Sequence, residues 1–154
     1  MTQTATTLSE SAQEAIAEAL NQSVAETAVT TMLAQNFHWN VTGMAFGPLH
    51  TLFQEIYEDH FVAQDDLAER IKALDAHAEG TLAGMIARSK VAEHDGEADA
   101  ATMIAKLKDA QETLAATLAG AGELAAGHGD TLTEDLCIAR GQTHEKFAWM
   151  LRAY

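Results

Sequence analysis

Four side chains of metal-binding type fall within one 32-residue stretch: His38, His50, Asp65 and Glu69. Imidazole and carboxylate together form the ligand set expected for iron or zinc. Asp65 and Glu69 stand four residues apart, so on a helix they share one face. His50 belongs to the same predicted helix, fifteen residues before Asp65. At 100° per residue it points within about 60° of Asp65 but lies roughly 22 Å away along the axis. One helix therefore cannot bring His50 and Asp65 to one ion. Two antiparallel copies can. Around a two-fold axis near residues 57 to 60, position 50 of one chain meets positions 65 to 69 of the other. Spacing alone predicts a metal site shared between subunits.

Helices are the elements that must hold these residues. Residues 1–8 are polar and Thr-rich and read as a flexible N-terminal segment; residues 9–154 form one domain. A first helix is expected from about Ser9 to Val41, with Ser11 and Glu14 at capping-box spacing. Val24, Thr27, Thr31, Ala34 and His38 recur at three and four, placing His38 on a continuous stripe. Gly43 and Gly47 break the chain, and Pro48 suits the first position of a second helix running to about Ala76. His50 then falls in its first turn. Thr81 is positioned to cap a short helix, Leu82 to Arg88, and Ser89 to Asp99 reads as loop. A third helix carries Met103, Leu107, Gln111, Leu114 and Leu118 at helical spacing. Thr131 and Glu134 repeat the capping-box pattern and open a fourth, ending near Arg152. No strand pattern, repeat or linker intervenes. The expected fold is all-α, a four-helix bundle with one long crossover, containing the short extra helix, between its second and third long helices.

Composition narrows the function. The formal charge is −14, and no Lys or Arg occurs before Arg70. Nucleic-acid binding draws its affinity from Lys and Arg on phosphates, so DNA binding is not expected. An acidic surface attracts cations, although solubility alone is an equally good reason for the acidity. The single Cys137 forms no internal disulfide and fits a reducing compartment. With no secretory pattern and no apolar stretch of membrane-spanning length, the cytoplasm is the default location. No Glu is followed by His three residues later, which argues against metal sites built inside one subunit's bundle.

The runs NFHWNVTG, GPLH and EDHFVAQDDLAERI, with a closing HEKFAWMLR, resemble the Dps family, the mini-ferritins named as DNA-binding proteins from starved cells. The resemblance covers nearly the whole chain and implies a ferritin-like four-helix bundle assembled into a hollow dodecamer. It implies ferroxidase activity and iron storage. Fe(II) would be held at a two-iron site by His38 and His50 of one subunit and Asp65 and Glu69 of its dimer mate. It further implies hydrogen peroxide as the preferred oxidant, protection against oxidative damage, and Trp39 beside the site as an interceptor of oxidising radicals. One position departs from the pattern. Many relatives carry an acidic residue four positions after the second His, where this chain has Gln54, and an amide is the weaker iron ligand. Asp130, Glu134 and Asp135 are candidates for a three-fold iron-entry pore, or are simply charges that favour a helix N-terminus.

Each residue also has a plainer reading. A single His on a helix stripe is more often packed than ligating, and Asp65 and Glu69 taken singly would be solvated or paired with Arg70 and Lys72. Convergence of all four under one two-fold axis outweighs this. His60, near that axis, reads as an interface residue or as a partner orienting a ligand. Trp39 and Trp149 read as core or interface aromatics, Met32, Met44, Met85, Met103 and Met150 as core, and Cys137 as a small buried residue. His77, His94, His128 and His144 fit no ligand spacing. Two rival functions remain: a nucleoid-binding protein, and a metal-binding bundle without oxidase chemistry.

Overall fold

A computed structural model describes all residues, Met1–Tyr154. After a short 3-10 turn at Ala5–Thr7, the chain forms α1 (Glu10–Asn40), α2 (Phe46–Ala73), α3 (Leu82–Arg88), α4 (Ala100–Gly127) and α5 (Thr131–Arg152), with no strand. The protein is an all-α bundle of four long helices with the short α3 in the crossover. α1 packs on α2 and on α4, α4 packs on α5, and α3 lies against α1.

The helix starts are set by side chains that satisfy otherwise unpaired amide groups. Ser9 accepts from the Ala12 N–H, Thr81 from Gly84, Asp99 from Thr102 and Asp130 from Thr133. Two caps sit earlier than the sequence pattern places them: Ser9 rather than Ser11, and Asp130 rather than Thr131. The second helix also starts earlier, at Phe46, so Pro48 occupies its third position. Its missing N–H costs nothing there, because the first-turn amides have no partner within the helix. It ends at Ala73, three residues before the expected Ala76, because Asp75 turns left-handed at φ 58°. Asp tolerates that conformation better than most residues.

Two apolar clusters fill the bundle and share no residue. One is built on Val29, Leu33, Phe37, Leu49, Phe53, Ile56, Met103, Leu107 and Leu151. The other is built on Ile16, Leu20, Val24, Leu67, Ile71, Leu74, Leu118 and Cys137. Between them, on each of the four helices, stands a fully buried polar side chain: Thr27, His60, Gln111 and His144. The middle of the bundle is a polar layer. Thr27 satisfies its hydroxyl locally, donating to the Ser23 carbonyl at 2.6 Å.

The other three are joined into one network. The Asp59 carboxylate accepts from His60 Nδ1 at 2.9 Å, which leaves His60 Nε2 as an acceptor for the Gln111 amide at 2.9 Å. Gln111 Oε1 accepts in turn from His144 Nδ1 at 2.7 Å. Arg140 closes the circuit with two hydrogen bonds to Asp59, at 3.2 and 2.7 Å. With both imidazoles neutral, the Nδ1–H of each ring meets an acceptor, while Arg140 Nε is buried without a partner. Burial, opposed by Asp59, lowers the His60 pKa. Burial, helped by repulsion from His60 and Arg140, lowers that of His144. Asp59 itself is raised by burial, but hydrogen bonds from His60 and Arg140 outweigh this and hold it well below the usual carboxylate range. His60 is therefore a core residue of its own subunit, not an interface residue.

Several apolar expectations also change. Met103 and Met85 are buried, but Met44 and Met32 are exposed, as are Trp39 and Trp149. Cys137 is buried as expected; burial, with the nearby Asp130 charge, pushes its thiol up to about 11, so it stays protonated. Its Cβ lies 3.2 Å from where a Cβ on Gly122 would stand, so a glycine there lets α4 and α5 approach closely.

Candidate metal centre

His38 and His50 face each other across the turn joining α1 and α2. That turn needs Gly43, whose φ of 103° is open to a residue without Cβ. The α1 C-terminal cap, where the Val41 N–H donates to the Phe37 carbonyl, and the contact of Phe37 with Phe53 hold the two helices in register. The result is a reciprocal pair. His38 Nδ1 lies 2.7 Å from the His50 carbonyl oxygen, and His50 Nδ1 lies 2.8 Å from the His38 carbonyl oxygen. A carbonyl only accepts, so both Nδ1 atoms carry the proton. In the neutral form this tautomer leaves Nε2 of each ring unprotonated, the form that binds a metal. Orientation of a metal-binding His through a backbone carbonyl on its other nitrogen is a recurring device.

The two rings stack at 3.7 Å between centroids and 17° between planes. Phe46 stacks on the far face of His50 at 5.1 Å, and Tyr57 sets edge-on against His38 at 5.3 Å and 81°. Four aromatic rings thus form a column in the order Phe46, His50, His38, Tyr57. His38 is buried and His50 half-buried. Trp39, next to His38 in sequence, is outside this column and 60% exposed.

Asp65 and Glu69 lie further along α2 and are both exposed. Neither pairs with the nearby cations. Arg70 turns the other way, to Asp130 at 2.9 Å, and Lys72 donates to the Ala76 carbonyl at 2.6 Å. Asp65 edges a surface groove lined by Val24, Phe61, Val62, Ala68 and Met85. Phe61 and Val62 are 72% and 61% exposed, an apolar patch directly beside the carboxylate. Nowhere within the single chain do three His, Cys, Asp or Glu side chains converge to hold a metal ion. The chain brings His38 and His50 together and leaves Asp65 and Glu69 apart from them.

Gln54, one turn after His50, donates to Glu58 at 2.7 Å. Of the three pore candidates, Asp130 is fully enclosed. It caps α5, accepts from Arg70 and Thr133, and has no free face with which to line an opening. Asp135 is exposed and Glu134 half-exposed. The polar layer at His60, Gln111 and His144 gave no sequence signal, because each residue falls singly on an otherwise apolar stripe.

Comparison with known proteins agrees with this fold. A family model described as a ferritin-like domain matches residues 17–154. General stress protein 20U of Bacillus subtilis is 35% identical over 92% of this chain and 97% of its own length. A DNA protection during starvation protein of Brevibacillus brevis is 33% identical over 94% of this chain and 97% of its own. The crystal structure of the Dps protein of Vibrio cholerae O1, described as a member of a broad superfamily of ferritin-like diiron-carboxylate proteins, superposes with a TM-score of 0.91. It is 33% identical, and the match covers 95% of this chain and 92% of that one. A four-helix bundle with its extra helix in the crossover, matched over nearly its whole length, places the chain in the Dps family of ferritin-like proteins, the mini-ferritins.

Proposed function

We propose that this protein is a ferroxidase that stores iron, oxidising Fe(II) at sites shared between subunits and depositing ferric oxide inside a hollow dodecamer. The observation that carries this reading is the His38–His50 pair, with both Nδ1 protons committed to backbone carbonyls. Two stacked imidazoles whose Nε2 atoms are left for a metal are half of an iron site. The missing half is carboxylate, and Asp65 and Glu69 are unpaired on an exposed face of the same helix. A second copy related by a two-fold axis near residues 57 to 60 supplies them, and covers the Phe61 and Val62 patch at the same time.

In that site the imidazoles bind Fe(II), and the carboxylates balance the charge gained on oxidation to Fe(III). Hydrogen peroxide is the oxidant in this reading. Two Fe(II) ions supply the two electrons that peroxide requires, so no hydroxyl radical is released. Glu134 and Asp135 remain as residues for the entry path. DNA is not bound, and protection of DNA would come from removal of iron and peroxide. Oxidation of Fe(II) measured with peroxide under nitrogen, and separately with air, tests the reading. Faster oxidation than in protein-free buffer, greatest with peroxide and lost in His50→Ala, is expected. Rates equal to the protein-free rate would overturn it.

A further inference from the structure

We infer that Glu58 is the carboxylate of the second iron position, moved one helical turn along α2 from position 54 and held there by Gln54. This deepens the ferroxidase reading above and rests on it. On α2, His50, Gln54, Glu58, Phe61, Asp65 and Glu69 recur at steps of four, four, three, four and four. They form one stripe about 100° wide. Glu58 therefore shares a face with His50 and with both proposed ligand carboxylates. Side chains on a helix lean toward its N-terminus, so Glu58 reaches back toward His50. The Gln54 amide, one turn nearer His50, donates to Glu58 Oε1 at 2.7 Å and leaves Oε2 free. An acid at position 54 would stand one turn from Glu58 as a like charge, and like charges at that spacing repel. The amide holds Glu58 instead.

The charge of the stripe gives this carboxylate its task. Residues 1–69 contain no Lys or Arg. When two α2 helices meet about the two-fold axis, neither stripe offers Glu58 a basic side chain. Glu58 is exposed in the single chain, beside the exposed Phe61. In the dimer both are covered, and a covered carboxylate without a positive partner is costly. A bound cation supplies that partner. Each site then gathers three carboxylates: Asp65 and Glu69 of one chain and Glu58 of the other. Asp65 and Glu69 together balance the charge of one Fe(II). Glu58 supplies negative charge for the second, where Gln54 has none to give. Gln54 acts as a positioning residue, through Glu58.

The probe is Co(II), titrated into the assembled protein without oxidant and followed by visible absorption and calorimetry. The ions counted are those whose binding is lost in His50→Ala. A two-fold dimer has two sites, so the parent should take two Co(II) per chain, in two steps. Glu58→Gln, which keeps the size of the side chain, should leave the first step intact and weaken the second at least ten-fold. Gln54→Ala should weaken the second step alone. Exchanging the pair, Gln54→Glu with Glu58→Gln, should restore the second step, which repair of a purely structural fault would not do. An undiminished second step in Glu58→Gln, no recovery on exchange, or one Co(II) per chain in the parent overturns the role of Glu58 and leaves the shared site standing. Co(II) binding that His50→Ala leaves wholly intact overturns the ferroxidase site with it.

Discussion

Gln111 joins His60 to His144 at the centre of the bundle, donating to one imidazole at 2.9 Å and accepting from the other at 2.7 Å. Three helices are tied through one amide, in the layer that separates the two apolar clusters. Replacing Gln111 by Ala orphans an imidazole acceptor and an imidazole donor, both fully buried. Each loss costs about 1–3 kcal/mol. Urea unfolding of Gln111→Ala should show roughly 3 kcal/mol less stability, and Gln111→Leu should not recover it. A loss below about 1 kcal/mol would show that water satisfies the two rings.

The same layer makes stability depend on pH. Burial holds His60 and His144 below the ordinary 6.5. The unfolded chain therefore binds more protons in acid than the folded one. The stability from neutral burial is complete above pH 6.5 and is lost as pH falls below it, by at most about 1.4 kcal/mol per pH unit for each ring. Asp59, held low, adds its own loss only below about pH 4. Unfolding measured from pH 7.5 to 4.5 should show this decline, and His144→Gln should flatten part of it. Identical slopes in parent and variant would remove His144 as a cause.

Arg70 and Asp130 form the other buried ion pair, at 2.9 Å, with Asp130 fully enclosed. Arg70→Ala leaves that carboxylate uncompensated and should cost about 3–5 kcal/mol. Asp130→Asn should alter stability but not the rate of iron entry, whereas Glu134→Gln with Asp135→Asn should slow entry. Stopped-flow iron uptake at low Fe(II) separates the two effects. Slowed entry in a well-folded Asp130→Asn protein would return Asp130 to the entry path.

Much of the architecture was legible in sequence because helices announce themselves through local spacing. The first, second and fourth long helices and the short one at Leu82–Arg88 fall within a few residues of their expected bounds, and the third contains the expected Met103 to Leu118 stripe. Caps were less legible. Ser9 and Ser11 compete for one start, and Asp130 and Thr131 for another, and tertiary contacts such as Arg70 on Asp130 decide between them. The polar layer was not legible at all. Gln111 sits at helical spacing among Leu107, Leu114 and Leu118, so it reads as one more core position. Its partners lie 51 and 33 residues away in sequence. The contact of Tyr57 with His38 was not legible for a similar reason, since the two rings lie 19 residues apart in sequence and on different helices.

DNA binding gives a further test. Nine Lys and Arg stand against twenty-three Asp and Glu. Of the nine, Arg70, Arg88, Lys108, Arg140 and Arg152 are already ion-paired within the chain. Few cations remain to release counterions from a duplex. A gel shift with a chelator present, at about 0.1 M salt where the Debye length is about 10 Å, should show no retardation. Salt-sensitive retardation under those conditions would reveal a basic surface formed on assembly.

Complementation separates a shared site from a private one. His50→Ala and Asp65→Ala should each lose oxidation as homodimers. In a mixed dimer both defects fall in one site and leave the other intact, so about half the activity per dimer should return. Inactive mixed dimers that are properly assembled would count against sharing.

The most direct test is a crystal structure of the protein soaked anaerobically with Fe(II), with anomalous diffraction recorded at the iron edge. The account predicts an anomalous peak between Nε2 of His38 and His50 of one chain and the carboxylates of Asp65 and Glu69 of its two-fold mate. Iron held only within one subunit, at the buried His60 and His144 layer or elsewhere, would contradict it.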